Sequence, residues 1–122
     1  MSDKKVQPVP VKPAATLADL EKIDIRVGTI LAVEDVSGSE KLVRLIVNFG
    51  DHQRNILAGM KQERADAGSI RGQQALFVVN LEPRKIMGET SEGMLFDIGY
   101  ADGIQPVLAV PESIVPNGTR AA

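Results

Sequence analysis

The segment from Ile23 to Glu34 constrains the fold most, because its apolar and polar residues alternate along its whole length. This period of two predicts one long strand. Its predicted apolar face consists of Ile23, Ile25, Val27, Thr29, Leu31 and Val33. Gly28 interrupts the pattern and predicts a bulge or a sharp bend, as the strongly coiled strands of a small barrel require.

Further strand-like segments follow, separated by turn residues. They cover residues 43–49, 54–58, 73–81, 94–98 and 105–110. A polar stretch over 60–69 predicts a short helix or a structured loop, and a capping-box pattern at Thr16 predicts a short helix before the first strand. Three meandering strands, a short helical insert and two more strands are the order of an OB-fold. The pattern alone leaves another small barrel or a sandwich open.

We therefore predict an all-β protein, a five-stranded OB-fold Greek-key barrel with a short N-terminal helix and a C-terminal extension. The first residues are rich in proline and lysine and have little apolar content to bury. This composition predicts a flexible tail over residues 1–15 and a single domain over residues 16–122.

The composition argues against several classes of function. The chain has no cysteine, which excludes disulfides, thiolate metal sites and cysteine nucleophiles, and fits a reducing compartment. His52 is the single histidine, and no catalytic, phosphate-cradling or metal-ligating motif is present. No apolar run is long enough to span a membrane, and the N-terminus lacks a signal-peptide core. We expect a cytoplasmic binding protein without enzymatic activity, cofactor or metal.

The charge is distributed unevenly along the chain, although the net charge is only −2. Residues 41–85 contain eight Lys or Arg and four Asp or Glu, a local charge of +4. The remaining residues contain six basic and twelve acidic side chains, a local charge of −6. A basic middle can present a positive face to a polyanion.

The segment 81–94 joins the fourth and fifth predicted strands, and in an OB-fold that loop lies beside the loop between strands one and two. Pro83 constrains the backbone before Arg84 and Lys85, so these cations would lose little entropy on meeting phosphates. Side chains that can contact the nucleic-acid backbone or base edges lie in and around these loops. The candidate RNA-binding residues are Lys41, Arg54, Asn55, Arg84, Lys85, Ser91 and Met94. A solvated loop, backbone caps and rim packing are the structural alternatives for the same residues.

Four runs of the sequence resemble the tRNA-binding domain family, over about residues 17–120. They are residues 23–30, 39–42, 54–59 and 83–94. The family includes the C-terminal domain of bacterial methionyl-tRNA synthetase, CsaA and small stand-alone tRNA-binding proteins. The resemblance implies an OB-fold homodimer that binds tRNA by shape without catalysis, with dimer contacts in segments 16–21 and 104–115. It also implies an RNA face of Lys41, Asn55, Arg84, Lys85, Ser91 and Met94, and suggests an aminoacyl-tRNA synthetase as a further partner.

A second hypothesis is a chaperone-like module that binds unfolded or exported proteins, as CsaA is named for. The same barrel would then use an apolar rim formed by Ile30, Leu42, Ile46 and Met87. The polar insert over 61–69 disfavours this role. Salt dependence separates the two hypotheses, because phosphate contacts weaken steeply with salt and apolar contacts do not.

Overall fold

The computed structural model describes residues 8–122. One α-helix, one 3₁₀ helix over Ala67–Ile70 and ten strands lie in this part of the chain. The α-helix is α1 (Leu17–Glu21), and the strands are β1 (Ile25–Asp35), β2 (Val43–Asn48), β3 (Gln53–Ala58), β4 (Gln74–Val78), β5 (Arg84–Ile86), β6 (Glu89–Ser91), β7 (Met94–Leu95), β8 (Asp97–Ile98), β9 (Val107–Leu108) and β10 (Arg120–Ala121). The predicted N-terminal helix is confirmed, with Thr16 and Asp19 forming its capping box.

The main sheet is antiparallel, with the strand order β3-β2-β1-β4-β7. The last strand of this path, β7, also packs beside β3, so the sheet curls back towards its first edge. The result is an OB-like barrel, which confirms the predicted fold class.

The core lies inside this curled sheet. Its most buried side chains include Ile30, Leu45, Val47, Ile56 and Phe77, which expose none of their surface. The alternation predicted for the second strand is confirmed, because every second side chain of β2 is buried. These residues supply the apolar burial that stabilises a chain of this size.

The predicted apolar face of the first strand is wrong at Ile30 and Leu31, whereas Val33 packs against the core as predicted. Ile30 is fully buried, whereas Leu31 is 40% exposed. A register shift between Ile30 and Ala32 adds one residue to β1, so that Val33 rather than Ala32 lies on the same face as Ile30. The bulge thus lies at Leu31 rather than at Gly28, where a Cβ atom would approach Val47 Cγ1 to 2.5 Å.

Other element boundaries also differ from the sequence prediction. The predicted loop over 81–90 contains the hairpin β5–β6, and the predicted fifth strand is divided into β7 and β8. Strand β8 leaves the main sheet and pairs with β9. The C-terminal extension returns to the barrel, where β10 pairs with the start of β1.

The predicted tail over 1–15 lies partly outside the described residues. Residues 8–15 contain no helix or strand. The flexibility of this tail stays a prediction.

Candidate nucleic-acid interface

The hairpin β5–β6 organises the segment that carries most of the candidate residues. Its strands pair Arg84 with Ser91, Lys85 with Thr90 and Ile86 with Glu89. The turn residues Met87 and Gly88 both have positive φ angles, of 54° and 78°. Two positive φ angles at the centre of a two-residue turn are typical of the tight hairpins that match the strand twist. The segment is therefore a regular hairpin rather than an irregular loop.

Arg84 and Lys85 are both exposed on this hairpin. Neither side chain forms an ion pair or a hydrogen bond within residues 8–122. Successive side chains of a strand point to opposite faces, so the two cations extend from the two faces of the hairpin. They can reach two separate phosphates.

The loop between β1 and β2 lies against the tip of the hairpin, as predicted. A Cβ atom on Gly38 would lie 3.8 Å from the Cε atom of Met87. Lys61 fixes this loop by donating to the carbonyl oxygens of Val36 at 3.2 Å and Ser39 at 2.6 Å. Lys41 is exposed at the end of the same loop. The structure thus brings the loop that carries Lys41 against the hairpin that carries Arg84 and Lys85.

Asn55 lies exposed on β3, and its backbone is held by Glu92. The Asn55 N–H donates to Glu92 Oε1 at 3.0 Å, and the Asn55 carbonyl accepts the Glu92 N–H at 2.8 Å. The side-chain amide of Asn55 makes no hydrogen bond to any residue in 8–122, so it can donate and accept towards a ligand. Sequence reasoning missed Glu92, although its place beside Ser91 in the same motif was a usable signal.

Arg54 faces inward from β3 more than the sequence suggested. Its Nη1 atom donates to the carbonyl oxygens of Val79 at 2.6 Å and Glu92 at 3.0 Å, and its Nε atom donates to His52 Nε2 at 3.0 Å. The guanidinium lies 5.9 Å from the ring centre of Phe49. Its position therefore serves to connect β3 with the end of β4 and with the segment after β6.

Ser91 is buried, with 5% of its surface exposed. Its Oγ atom accepts the Leu57 N–H at 3.0 Å and donates to the Gly93 carbonyl at 3.0 Å. The expectation that Ser91 donates to a phosphate or a base edge does not fit this geometry, because its proton is engaged and its surface is covered. Ser91 instead connects the base of the hairpin to β3.

Met94 is 45% exposed and, with Lys41, borders a groove of about 590 Å³. Glu63 and Asp97 also line this groove. Burial raises the pKa of the Glu63 carboxyl, and the neighbouring Asp97 charge raises it further. The groove therefore has basic and apolar side chains from the candidate site together with an acidic pair.

Ion pairing divides the cations of residues 8–122 into two groups. The paired cations are Lys22, Arg26, Arg44, Lys61, Arg64 and Arg120. The cations without an ion-pair partner in this part of the chain are Lys12, Lys41, Arg54, Arg71, Arg84 and Lys85. Four of the second group are candidate residues from the sequence, so the candidate site holds most of the cationic charge that is left without an ion pair within residues 8–122.

Two other features are absent from the described part of the chain. No group of three histidine or acidic side chains there is placed to hold a metal ion. Neither helix between residues 8 and 122 has the length and the apolar composition needed to cross a membrane.

A family model described as a putative tRNA binding domain matches residues 25–120. The chain belongs to this family. It is 38% identical over 109 residues to the methionine–tRNA ligase of Archaeoglobus fulgidus, covering 89% of this chain and 16% of that protein. It is 40% identical over 101 residues to the methionine–tRNA ligase of Methanococcus vannielii, covering 80% of this chain and 15% of that protein. The chain thus spans about a sixth of the length of these relatives.

Solved structures agree with this family assignment. A protein related to methionyl-tRNA synthetase from Pyrococcus horikoshii superposes with a TM-score of 0.83 at 29% identity, covering 91% of this chain and all of that chain. The chaperone CsaA of Bacillus anthracis superposes with a TM-score of 0.76 at 28% identity, covering 90% of this chain and all of that chain. The chain is therefore similar both to a synthetase-related protein and to a protein named as a chaperone.

Proposed function

We propose that the chain is a non-catalytic tRNA-binding protein that recognises structured RNA by shape and by phosphate contacts. The observation that carries the proposal is a set of exposed cations, Lys41, Arg84 and Lys85, which have no carboxylate partner within residues 8–122 and lie on a loop and a hairpin in contact with each other. Phosphate contacts supply most of the affinity of such proteins. Membership of the family supports tRNA as the ligand.

The candidate residues take different roles in this proposal. Lys41, Arg84 and Lys85 neutralise phosphates, while the side-chain amide of Asn55 donates to and accepts from a base edge or a ribose hydroxyl. Met94 supplies apolar contact at the border of the groove. Arg54 and Ser91 act beneath this surface by holding β3 and the hairpin together.

We further propose that the protein is a homodimer. Several large apolar side chains of segment 96–114 are exposed, namely Phe96, Ile98, Ile104, Val107, Val110 and Ile114. An exposed apolar surface of this kind is typical of an interface, and a twofold dimer would double the cationic surface offered to one tRNA. Light scattering at micromolar concentration tests the dimer, and a mass near the 13.1 kDa of one chain would contradict it.

The relatives also suggest a partner. The matching part of the A. fulgidus methionine–tRNA ligase is 16% of that enzyme, so the family occurs there as one part of a larger enzyme. We propose an aminoacyl-tRNA synthetase as a second partner and the cytoplasm as the place of action. Co-purification of a synthetase with the tagged protein tests this, and a nuclease-treated sample separates direct contact from bridging by RNA.

Binding to tRNA is tested by titrating a labelled tRNA and a DNA duplex of matched length at several salt concentrations. We expect tighter binding of the tRNA and a linear decrease of log affinity with log salt. Equal affinity for both nucleic acids would contradict recognition of structured RNA. Sequencing of the co-purifying RNA then identifies the ligand.

Chaperone activity is the second candidate, favoured by the similarity to CsaA and by the exposed apolar segment. Ile30 cannot belong to the predicted apolar rim, because it is fully buried. Met87 is 58% exposed and stays available for this role. Binding of an unfolded protein that persists at high salt, without binding of tRNA at low salt, would favour the chaperone over the RNA-binding function.

A further inference from the structure

Arg44 on β2 connects three elements of the structure. Its Nε atom lies 2.9 Å from Glu34 Oε1 on β1, and its Nη1 atom donates to Glu89 on β6. Hydrogen bonds to both carboxylates raise the pKa of Arg44, and the bond to Glu89 contributes more than the bond to Glu34. Arg44 lies in the basic middle of the sequence, yet two carboxylates already compensate its charge.

The hairpin β5–β6 depends on such contacts, because it forms a two-stranded sheet of its own outside the main sheet. A two-stranded hairpin alone is at best marginally stable in water. Ser91 attaches its base by accepting the Leu57 N–H. Glu89 pairs with Ile86 next to the turn, so its contact with Arg44 attaches the tip.

We propose that Arg44 and Glu89 are positioning residues for tRNA binding, which hold the hairpin against the barrel so that Arg84 and Lys85 meet the RNA in a fixed arrangement. The inference rests on the proposed tRNA-binding function. A cation that is already held in place loses less conformational entropy on binding, and this entropy is a recurrent cost of association. Glu89 therefore favours the binding of a polyanion, although it is itself an anion.

The sign of this effect makes the proposal testable. By charge alone, removal of any carboxylate near a phosphate-binding surface increases the affinity for RNA. By positioning, Glu89→Ala decreases the affinity. Glu34→Ala is the matched control, because it removes the same charge from the same arginine but leaves the hairpin attached.

The experiment compares tRNA affinity for the parent, Glu89→Ala, Glu89→Gln and Glu34→Ala chains. We expect a roughly threefold to tenfold loss for Glu89→Ala, and a smaller loss for Glu89→Gln, which keeps an acceptor oxygen. We expect no loss for Glu34→Ala. Thermal unfolding of each variant shows whether the barrel itself is intact. An affinity for Glu89→Ala equal to or above that of Glu34→Ala would overturn the proposal.

Two further measurements separate positioning from other causes. In a chain that already carries Arg84→Ala and Lys85→Ala, addition of Glu89→Ala should cause no further loss, because no hairpin cations remain to be positioned. Amide hydrogen exchange on the free protein should be faster at Ile86 and Glu89, the pair that closes the hairpin turn, in Glu89→Ala than in the parent. Unchanged exchange would show that Glu89 does not attach the hairpin to the barrel. Failure of the parent to bind tRNA would instead refute the proposed function, and the exchange result on the hairpin would stand independently.

Discussion

The hairpin β5–β6 and the cluster formed by Asp24, Arg26 and Arg120 use similar residues in opposite ways. In the Asp24 cluster, the carboxylate accepts from Arg26 at 2.8 and 3.0 Å and from Arg120 at 3.1 Å. The hydrogen bond from Arg26 is the main cause that lowers the pKa of Asp24 to about 2. On the hairpin, Arg84 and Lys85 have no carboxylate partner among the described residues.

The difference between these two regions shows that the role of a cation depends on whether a carboxylate pairs with it. In the Asp24 cluster the arginines attach the end of the chain, since Arg26 and Arg120 lie opposite each other in the β1–β10 pair. On the hairpin the uncompensated charge remains available to an anion. Substitutions on the hairpin should therefore change RNA binding, whereas substitutions in the Asp24 cluster should change stability.

The largest effect on binding is expected from Arg84→Ala combined with Lys85→Ala. Each cation that neutralises a phosphate contributes roughly 0.7–0.9 to the slope of log affinity against log salt, so the slope should decrease by about 1.4–1.8. At about 0.1 M salt, this decrease of the slope corresponds to a roughly 25- to 60-fold loss of tRNA affinity. Fluorescence anisotropy with labelled tRNA over a salt series measures both quantities.

The control removes two paired cations, with Lys22→Ala combined with Arg120→Ala. Its net charge change is the same, but Lys22 contacts Asp19 and Arg120 contacts Asp24. We expect a salt slope close to that of the parent. If both double variants lose the same slope, only the overall charge matters and the comparison between the two regions fails.

Ser91→Ala tests whether this residue acts from inside the barrel. The change leaves the Leu57 N–H without its acceptor in a buried position, which should cost about 1–3 kcal/mol of unfolding free energy. Urea unfolding measures this loss, and tRNA affinity of the folded fraction should decrease with an unchanged salt slope. A variant as stable as the parent that binds tRNA more weakly would restore the direct RNA contact predicted from the sequence.

Asp24→Asn changes the other region and should affect stability alone. Loss of the ionic contacts with the two arginines should cost on the order of 1–2 kcal/mol, reduced by solvent screening. The pKa of Asp24 is lowered from 3.8 to about 2 by folding. Its stabilising contribution is therefore complete above about pH 4 and is lost as the pH falls towards 2.

Urea unfolding at pH 7 and at several values between about pH 4 and 2 measures this contribution. The difference between the parent and Asp24→Asn should be largest at pH 7 and should shrink through the acidic range. A difference that is constant with pH would show that the carboxylate charge is not its source.

The sequence was sufficient for features that depend on local pattern. The buried face of β2 follows from the alternation of Val43, Leu45 and Val47, and the proximity of the two loops follows from the order of the strands. The register shift at Leu31 could not be predicted, because the alternation within β1 does not show how β1 pairs with β2.

The features of the site that the sequence could not predict depend on contacts between residues that are far apart in the chain. Asp24 and Arg120 are separated by 96 positions, and the acceptor role of Ser91 depends on a strand 34 positions earlier. Polar residues in a motif are compatible both with ligand contact and with backbone support. Only the burial and the partners of Ser91 distinguish the two roles.

The smallest effect is expected for two asparagines, one in each region. Asn80 lies beside the Asp24 cluster, where its Oδ1 accepts the Asp24 N–H at 2.8 Å and its Nδ2 donates to the Lys22 carbonyl at 2.6 Å. The amide of Asn55 has no partner within residues 8–122.

Asn55→Ala should therefore weaken tRNA binding by roughly 0.5–1.5 kcal/mol, the net range for one hydrogen bond, without lowering the unfolding free energy. Asn80→Ala should show the reverse, with a loss of about 0.5–1.5 kcal/mol per hydrogen bond in stability and none in affinity. Parallel titration and urea unfolding of both variants decide the matter. If Asn80→Ala weakens binding as much as Asn55→Ala does, RNA contacts extend to the Asp24 cluster and the two regions are not separate in function.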